Sequence, residues 1–250
     1  MKNLIYRIGK KLVKVSGKEQ ILPVEFTQKE KEIFDYVTNE KITMTSPQDI
    51  VTTILCAKHV ALNDMKGDFV ECGVWRGGNV VAAKLIFDEM DYKNEIYLFD
   101  TFTGMTEPSD KDINLKTDES MEDLYYIDKK EDHHDWCFSS IEEVKNNITK
   151  AGIGLDSVKF IKGDVLETLK DENNLPQNIS ILRLDTDWYD STKIELEVLY
   201  PRLISNGFLI VDDYGHWEGQ KRAVDEYFKN IKKPFMNIID PPSSRILIKT

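Results

Sequence analysis

An α/β fold is predicted by this sequence: a doubly wound, mostly parallel sheet with an antiparallel final strand and helices ahead of the core. Three observations carry the prediction. Short, near-continuous apolar runs recur along the chain, amphipathic segments separate them, and acidic and glycine residues cluster directly after the runs. Buried apolar strands alternating with amphipathic helices indicate a parallel sheet covered on both faces. Such sheets bind ligands beyond the carboxyl ends of their strands.

Two helices are expected before the core, over residues 28–37 and 46–63. The second opens with Ser46-Pro47, a capping residue followed by proline in the first turn. Strands are expected at 69–72, 96–99, 158–161, 179–184 and 208–211. The intervening helices are expected at 80–90, 140–150, 165–169, 192–200 and 220–229. The tail reads as two strands, 235–239 and 245–248, joined by a turn at Pro241-Pro242.

The stretch from Thr101 to Ser139 breaks the alternation, being long, polar and acidic, with Tyr125, Tyr126, Trp136 and Phe138 embedded in it. Segments of this length inside a compact domain are usually functional or disordered. The aromatics favour a lid over the substrate, with a solvated insertion as the alternative; His133 and His134 are expected in solvent. The organisation is then a basic, helical segment over 1–40 and one domain over 41–250 that carries the acidic insertion 101–139.

Composition narrows the function. With 250 residues, 41% hydrophobic and 31% charged, the chain suits a soluble globular protein. A formal charge of −11 argues against nucleic acid as the main partner, because phosphate binding needs a basic surface. Cys56, Cys72 and Cys137 are scattered and form no zinc spacing, as expected of a reduced cytoplasmic setting.

No apolar run is long enough to cross a bilayer, and no signal-peptide core is present. Residues 1–18 interleave Lys2, Arg7, Lys10, Lys11, Lys14 and Lys18 with Leu4, Ile5, Ile8, Leu12 and Val15. That pattern suits either peripheral contact with the inner membrane face or packing on the chain's own domain or a partner subunit, the reading slightly favoured. A homodimer is the default assembly.

The most informative stretch runs from Asp68 to Asn79. An apolar strand carries Glu71, then Gly73, Trp75, Gly77 and Gly78 mark a turn into a helix. Glycines allow close approach of backbone to a ligand, and the helix beyond presents free N–H groups and a positive dipole end. The spacing is not the Gly-x-Gly-x-x-Gly of dinucleotide enzymes. Asp100 and Thr101 close the second strand, where a carboxylate can accept both hydroxyls of a ribose. Asp164 follows the third strand and suits either an adenine amino group or the cap of the next helix.

The fourth strand ends in Asp185-Thr186-Asp187 and the fifth in Asp212-Asp213. Neighbouring parallel strands would bring Asp185 and the Asp212–Asp213 pair to one sheet edge. Converging carboxylates repel unless a hard cation neutralises them, and all-oxygen ligation suits Mg²⁺, Mn²⁺ or Ca²⁺. A diol chelated there would have its hydroxyl pKa lowered. Asp185 or Asp187 is then the candidate proton acceptor, with His216 the second candidate.

The acidic-x-Gly turn with its following Gly pair resembles the first motif of class I S-adenosylmethionine methyltransferases. Together, the stretches Gly67 to Gly78, Leu182 to Thr192 and Val211 to Gly215 resemble the macrocin O-methyltransferase family, over about Thr43 to Phe228. The resemblance implies a Rossmann-like class I fold and metal-dependent methylation of sugar hydroxyls on natural products. It places Glu71, Gly73 and Asp100 at S-adenosylmethionine, and Asp185, Asp212 and Asp213 at Mg²⁺ or Mn²⁺. Trp75, Gly77, Gly78, Thr101 and Asp164 complete the expected cofactor side.

The chain departs from the family at Thr186, where glycine is usual. The acceptor is expected to be a small-molecule or surface-polysaccharide glycan. Three rival readings remain: a glycosyltransferase using Asp185-Thr186-Asp187, a non-catalytic cofactor-binding module, and an NAD-dependent oxidoreductase.

Overall fold

The computed structural model describes residues 22–229 and 231–250. The basic stretch 1–18 lies outside these. The first helices are α1 (Gln28–Asn39) and α2 (Pro47–Leu62). Thr27 caps α1 in a capping box, its side chain accepting from the Glu30 amide while the Glu30 carboxylate accepts from Thr27 N–H. Ser46 caps α2 with Pro47 in the first turn.

The alternating core follows: β1 (Asp68–Cys72), α3 (Gly78–Glu89), β2 (Ile96–Asp100), α4 (Glu122–Asp128), α5 (Ile141–Lys150), β3 (Val158–Lys162), α6 (Val165–Thr168), β4 (Ile179–Leu184), α7 (Tyr189–Leu199), β5 (Leu203–Val211), α8 (Glu218–Tyr227), β6 (Met236–Ile238) and β7 (Arg245–Ile248). These form one seven-stranded sheet in the order β3-β2-β1-β4-β5-β7-β6. The first five of these strands pair in parallel. β7 runs antiparallel between β5 and β6.

Alternating side chains divide the core. Phe69, Leu98, Ile181 and Ile210 face one layer with α1, α2 and α3, and Val70, Phe99, Leu182 and Leu209 face the other with α7 and α8. The strand order reverses between β1 and β4, the crevice where ligands of such sheets bind.

Two expectations need revision. Helices α7 and α8 start earlier than the apolar periodicity suggests, at Tyr189 and Glu218. His134 is buried rather than solvated: its ring stacks on Tyr125 at 4.4 Å and its Nε2 lies 2.7 Å from the Tyr125 carbonyl oxygen.

The insertion packs against the domain at several points. The buried Asp112 accepts from the Tyr189 N–H at 2.8 Å, capping α7 from outside the helix. Trp136 meets Trp188 and Trp217 edge to face at 5.8 and 5.9 Å, and those two meet each other at 5.5 Å. Trp188 Nε1–H donates to the Thr106 carbonyl at 2.9 Å. Among the described residues, no helix is long and apolar enough to cross a membrane.

Candidate active site

A cleft opens over the carboxyl ends of β1, β2, β4 and β5, the place where such sheets bind ligands. On one side lies the turn after β1. Gly73 has φ +81°, and a Cβ there would run into the Asp185 carbonyl, so only glycine lets the turn lie against the end of β4. The Asp185 N–H donates to the Cys72 carbonyl at 2.8 Å, tying the two strand ends together. Gly77, φ +86°, is the N-cap of α3, so no side chain occupies that helix's first amides.

Asp100 holds this turn. Its Oδ2 accepts from the amides of Val74 at 2.6 Å and Trp75 at 3.2 Å, and its Oδ1 accepts from Phe102 at 2.6 Å. Burial pushes its pKa above the usual carboxylate value, against the pull of those amides. Asp164 lines the cleft and caps α6, its Oδ1 accepting from Leu166 N–H at 2.9 Å.

The opposite side is acidic. Asp185, Asp187 and Asp213 each offer a carboxylate oxygen, and these atoms lie within 4.8 Å of one another. Burial, then the charges of Asp213 and Asp185, push Asp187 well above its ordinary pKa. Asp213 is raised by burial and by Asp212.

Beneath them lies Arg183, fully buried in β4. Its Nη1–H donates to Asp185 Oδ2 at 2.7 Å and to Glu71 Oε1 at 3.2 Å, and its Nη2–H donates to Asp212 Oδ1 at 2.8 Å. One guanidinium therefore serves three carboxylates. Burial pushes Glu71 up to about 8 despite this partner.

The structure gathers Gly73, Trp75, Asp100, Thr101, Asp164, Asp185, Asp187, Asp212 and Asp213 around the cleft. Glu71 lies beneath its floor on Arg183, and Gly77 and Gly78 sit behind the turn, against Val144 and against Thr43 and Ile42. His216 is set back from the cleft, its Nδ1 3.8 Å from Asp213 Oδ1 and its ring against Trp217.

Met44, Thr45, Met105, Thr106 and Cys137 also line the cleft and carry no motif that sequence reasoning could read. Arg183 did carry a signal. An arginine inside the apolar run Ile181-Leu182-Arg183-Leu184 must be paired if that strand is buried.

Both sides suit the groups the resemblance implies. The glycine turn and Asp100 with Asp164 suit a nucleoside bearing an amino-acid tail. Three converging carboxylates, of which Asp185 alone is paired with Arg183, suit a hard divalent cation.

Known proteins resemble this chain in sequence and in fold. The family model described as Macrocin-O-methyltransferase (TylF) matches residues 7–242. The chain is 33% identical over 177 residues to the demethyldecarbamoylnovobiocin O-methyltransferase of Streptomyces niveus. That alignment covers 69% of this chain and 62% of the relative. It is 31% identical over 176 residues to a Streptomyces olivaceus protein, the 8-demethyl-8-(2,3-dimethoxy-alpha-L-rhamnosyl)-tetracenomycin-C 4'-O-methyltransferase, with the same coverage, 69% and 62%. The chain thus spans about three-fifths of the length of these curated relatives.

Among solved structures, the O-methyltransferase NovP superposes with a TM-score of 0.76 at 23% identity, covering 88% of this chain and 98% of that one. The calicheamicin methyltransferase CalS11 gives 0.58 at 18% identity, covering 93% and 98%. At these identities the likeness is one of fold, a Rossmann-like class I O-methyltransferase. The chain belongs to the macrocin-O-methyltransferase family.

Proposed function

We propose that this member of the macrocin-O-methyltransferase family uses S-adenosylmethionine and a divalent cation to methylate a sugar hydroxyl on a natural-product or surface-polysaccharide glycan. The observation that carries the reading is the facing of two half-sites across one cleft: the Gly73 turn held by Asp100, and the convergent Asp185, Asp187 and Asp213. Rhamnosyl methylation by the Streptomyces olivaceus relative supports a sugar as acceptor.

The cofactor supplies a methyl group already activated by its sulfonium, and Mg²⁺ or Mn²⁺ would supply Lewis acidity toward the acceptor oxygen. Gly73 and Asp100 would shape the donor side. Asp185, Asp187 and Asp213 would hold the cation, with Asp212 and Arg183 fixing Asp185 from behind. Asp185 or Asp187 would take the hydroxyl proton. The residues of the insertion that border the cleft, among them Met105 and Cys137, would screen it from water as a lid.

The test is mass-spectrometric detection of methyl transfer from S-adenosylmethionine to a panel of rhamnosides and nucleotide-linked sugars, with and without a chelator. The expected result is transfer to at least one sugar, lost in chelator and restored by Mg²⁺. Methylation of a simple catechol with no transfer to any sugar would contradict the acceptor class.

A further inference from the structure

We propose that Glu195 is a positioning residue for the cation-binding carboxylates, acting through the hydroxyl of Thr186; this rests on the cation reading above. Asp185 and Asp187 flank Thr186, and Asp187 has φ +68°, a left-handed conformation uncommon outside glycine, asparagine and aspartate. The Trp188 N–H donates to the Thr186 carbonyl at 2.8 Å and closes the turn.

The Thr186 side chain ties that turn to α7. Its hydroxyl donates to Glu195 Oε1 at 2.9 Å and lies 2.9 Å from Ser191 Oγ. Ser191 in turn reaches the Trp188 carbonyl at 3.1 Å.

Glu195 is wholly buried, stands outside the cleft lining, and has no part in the chemistry above. Besides Thr186 it meets the Cys72 thiol, a weak donor. A buried carboxyl held by one hydroxyl and a weak thiol donor is a poor source of stability, and an apolar residue would pack at lower cost. What its geometry achieves is a fixed Thr186. With Thr186 held, Asp187 keeps its left-handed backbone and its carboxylate stays beside those of Asp185 and Asp213. Partners standing behind metal ligands in this way commonly set affinity by one to two orders of magnitude.

The test is titration with Mn²⁺ alone, followed by electron paramagnetic resonance, on the full chain and on Glu195→Ala, Glu195→Gln and Thr186→Val. S-adenosylhomocysteine affinity is measured alongside on the wild type and the Glu195 variants. Glu195→Ala and Thr186→Val are expected to weaken Mn²⁺ about tenfold. Glu195→Gln, whose amide oxygen can still accept from Thr186, stays within about threefold of wild type. Both Glu195 variants keep their S-adenosylhomocysteine affinity.

Wild-type Mn²⁺ affinity in Glu195→Ala, or equal loss in Glu195→Gln, overturns the inference. If Glu195→Ala does not fold, Thr186→Val, close to threonine in shape, decides the matter alone. A wild-type chain that binds S-adenosylhomocysteine but takes up no Mn²⁺ overturns the cation reading and the inference together. Uptake unaffected by the substitutions overturns the inference only.

Discussion

Arg183 Nη2 lies 2.8 Å from Asp212 Oδ1, so one of the two adjacent aspartates after β5 is engaged by a buried cation of the protein itself. Its neighbour Asp213 instead joins Asp185 and Asp187, with Ser243 Oγ–H donating to it at 2.9 Å. Two residues that look equivalent in sequence thus do different work. Asp212→Asn weakens the compensation of a fully buried arginine and should cost about 2 kcal/mol of stability. Asp213→Asn relieves repulsion and should leave stability in chelator at or above that of the wild type, while Mn²⁺ affinity falls. Urea unfolding in chelator with a Mn²⁺ titration separates the two.

The Asp100 carboxylate is the fastening of the glycine turn, since it accepts from three backbone amides. Asp100→Asn replaces one acceptor oxygen by an amide donor facing those N–H groups. S-adenosylhomocysteine affinity should fall at least about tenfold, the loss expected for a charged hydrogen bond. Calorimetry on a variant with wild-type circular dichroism checks it.

Gly73→Ala places a methyl against the Asp185 carbonyl at a left-handed backbone position. The combined clash and strain should cost about 3 kcal/mol or more. At Gly154 an added Cβ meets nothing within 4 Å, so Gly154→Ala should fold like the wild type. Thermal unfolding of the pair provides the comparison.

Burial raises Glu195 from 4.5 to about 8. Between these values the folded chain keeps a proton that the unfolded chain has lost. This contribution to stability is therefore complete below about pH 4.5, declines as pH rises, and is gone above about pH 8. The slope is at most about 1.4 kcal/mol per pH unit. Glu195→Gln removes the titration, so its unfolding free energy should fall less than that of the wild type over this window. Chemical denaturation across this pH range, in chelator, gives the two slopes.

Much of the fold was legible because its signals are local. The apolar runs at β1, β2 and β4, the Ser46-Pro47 helix start and the glycines after Cys72 each follow from neighbouring residues. What stayed hidden depends on distant partners. The cap on α7 comes from Asp112, 77 residues before Tyr189, and the packing of the insertion rests on Trp136, Trp188 and Trp217 meeting from three separate segments. Sequence spacing brought Asp185, Asp212 and Asp213 to one edge, but only the register of β4 against β5 shows Asp212 turned to Arg183 and Asp187 turned into the cluster.

The most direct test of the account is calorimetric titration of the full chain with S-adenosylhomocysteine, first in chelator and then with Mg²⁺. One-to-one binding is expected in both conditions, because the donor half-site is built by the Gly73 turn and Asp100 without the acidic cluster. Absence of binding in both, with a nucleotide sugar binding in the presence of Mn²⁺, would contradict it.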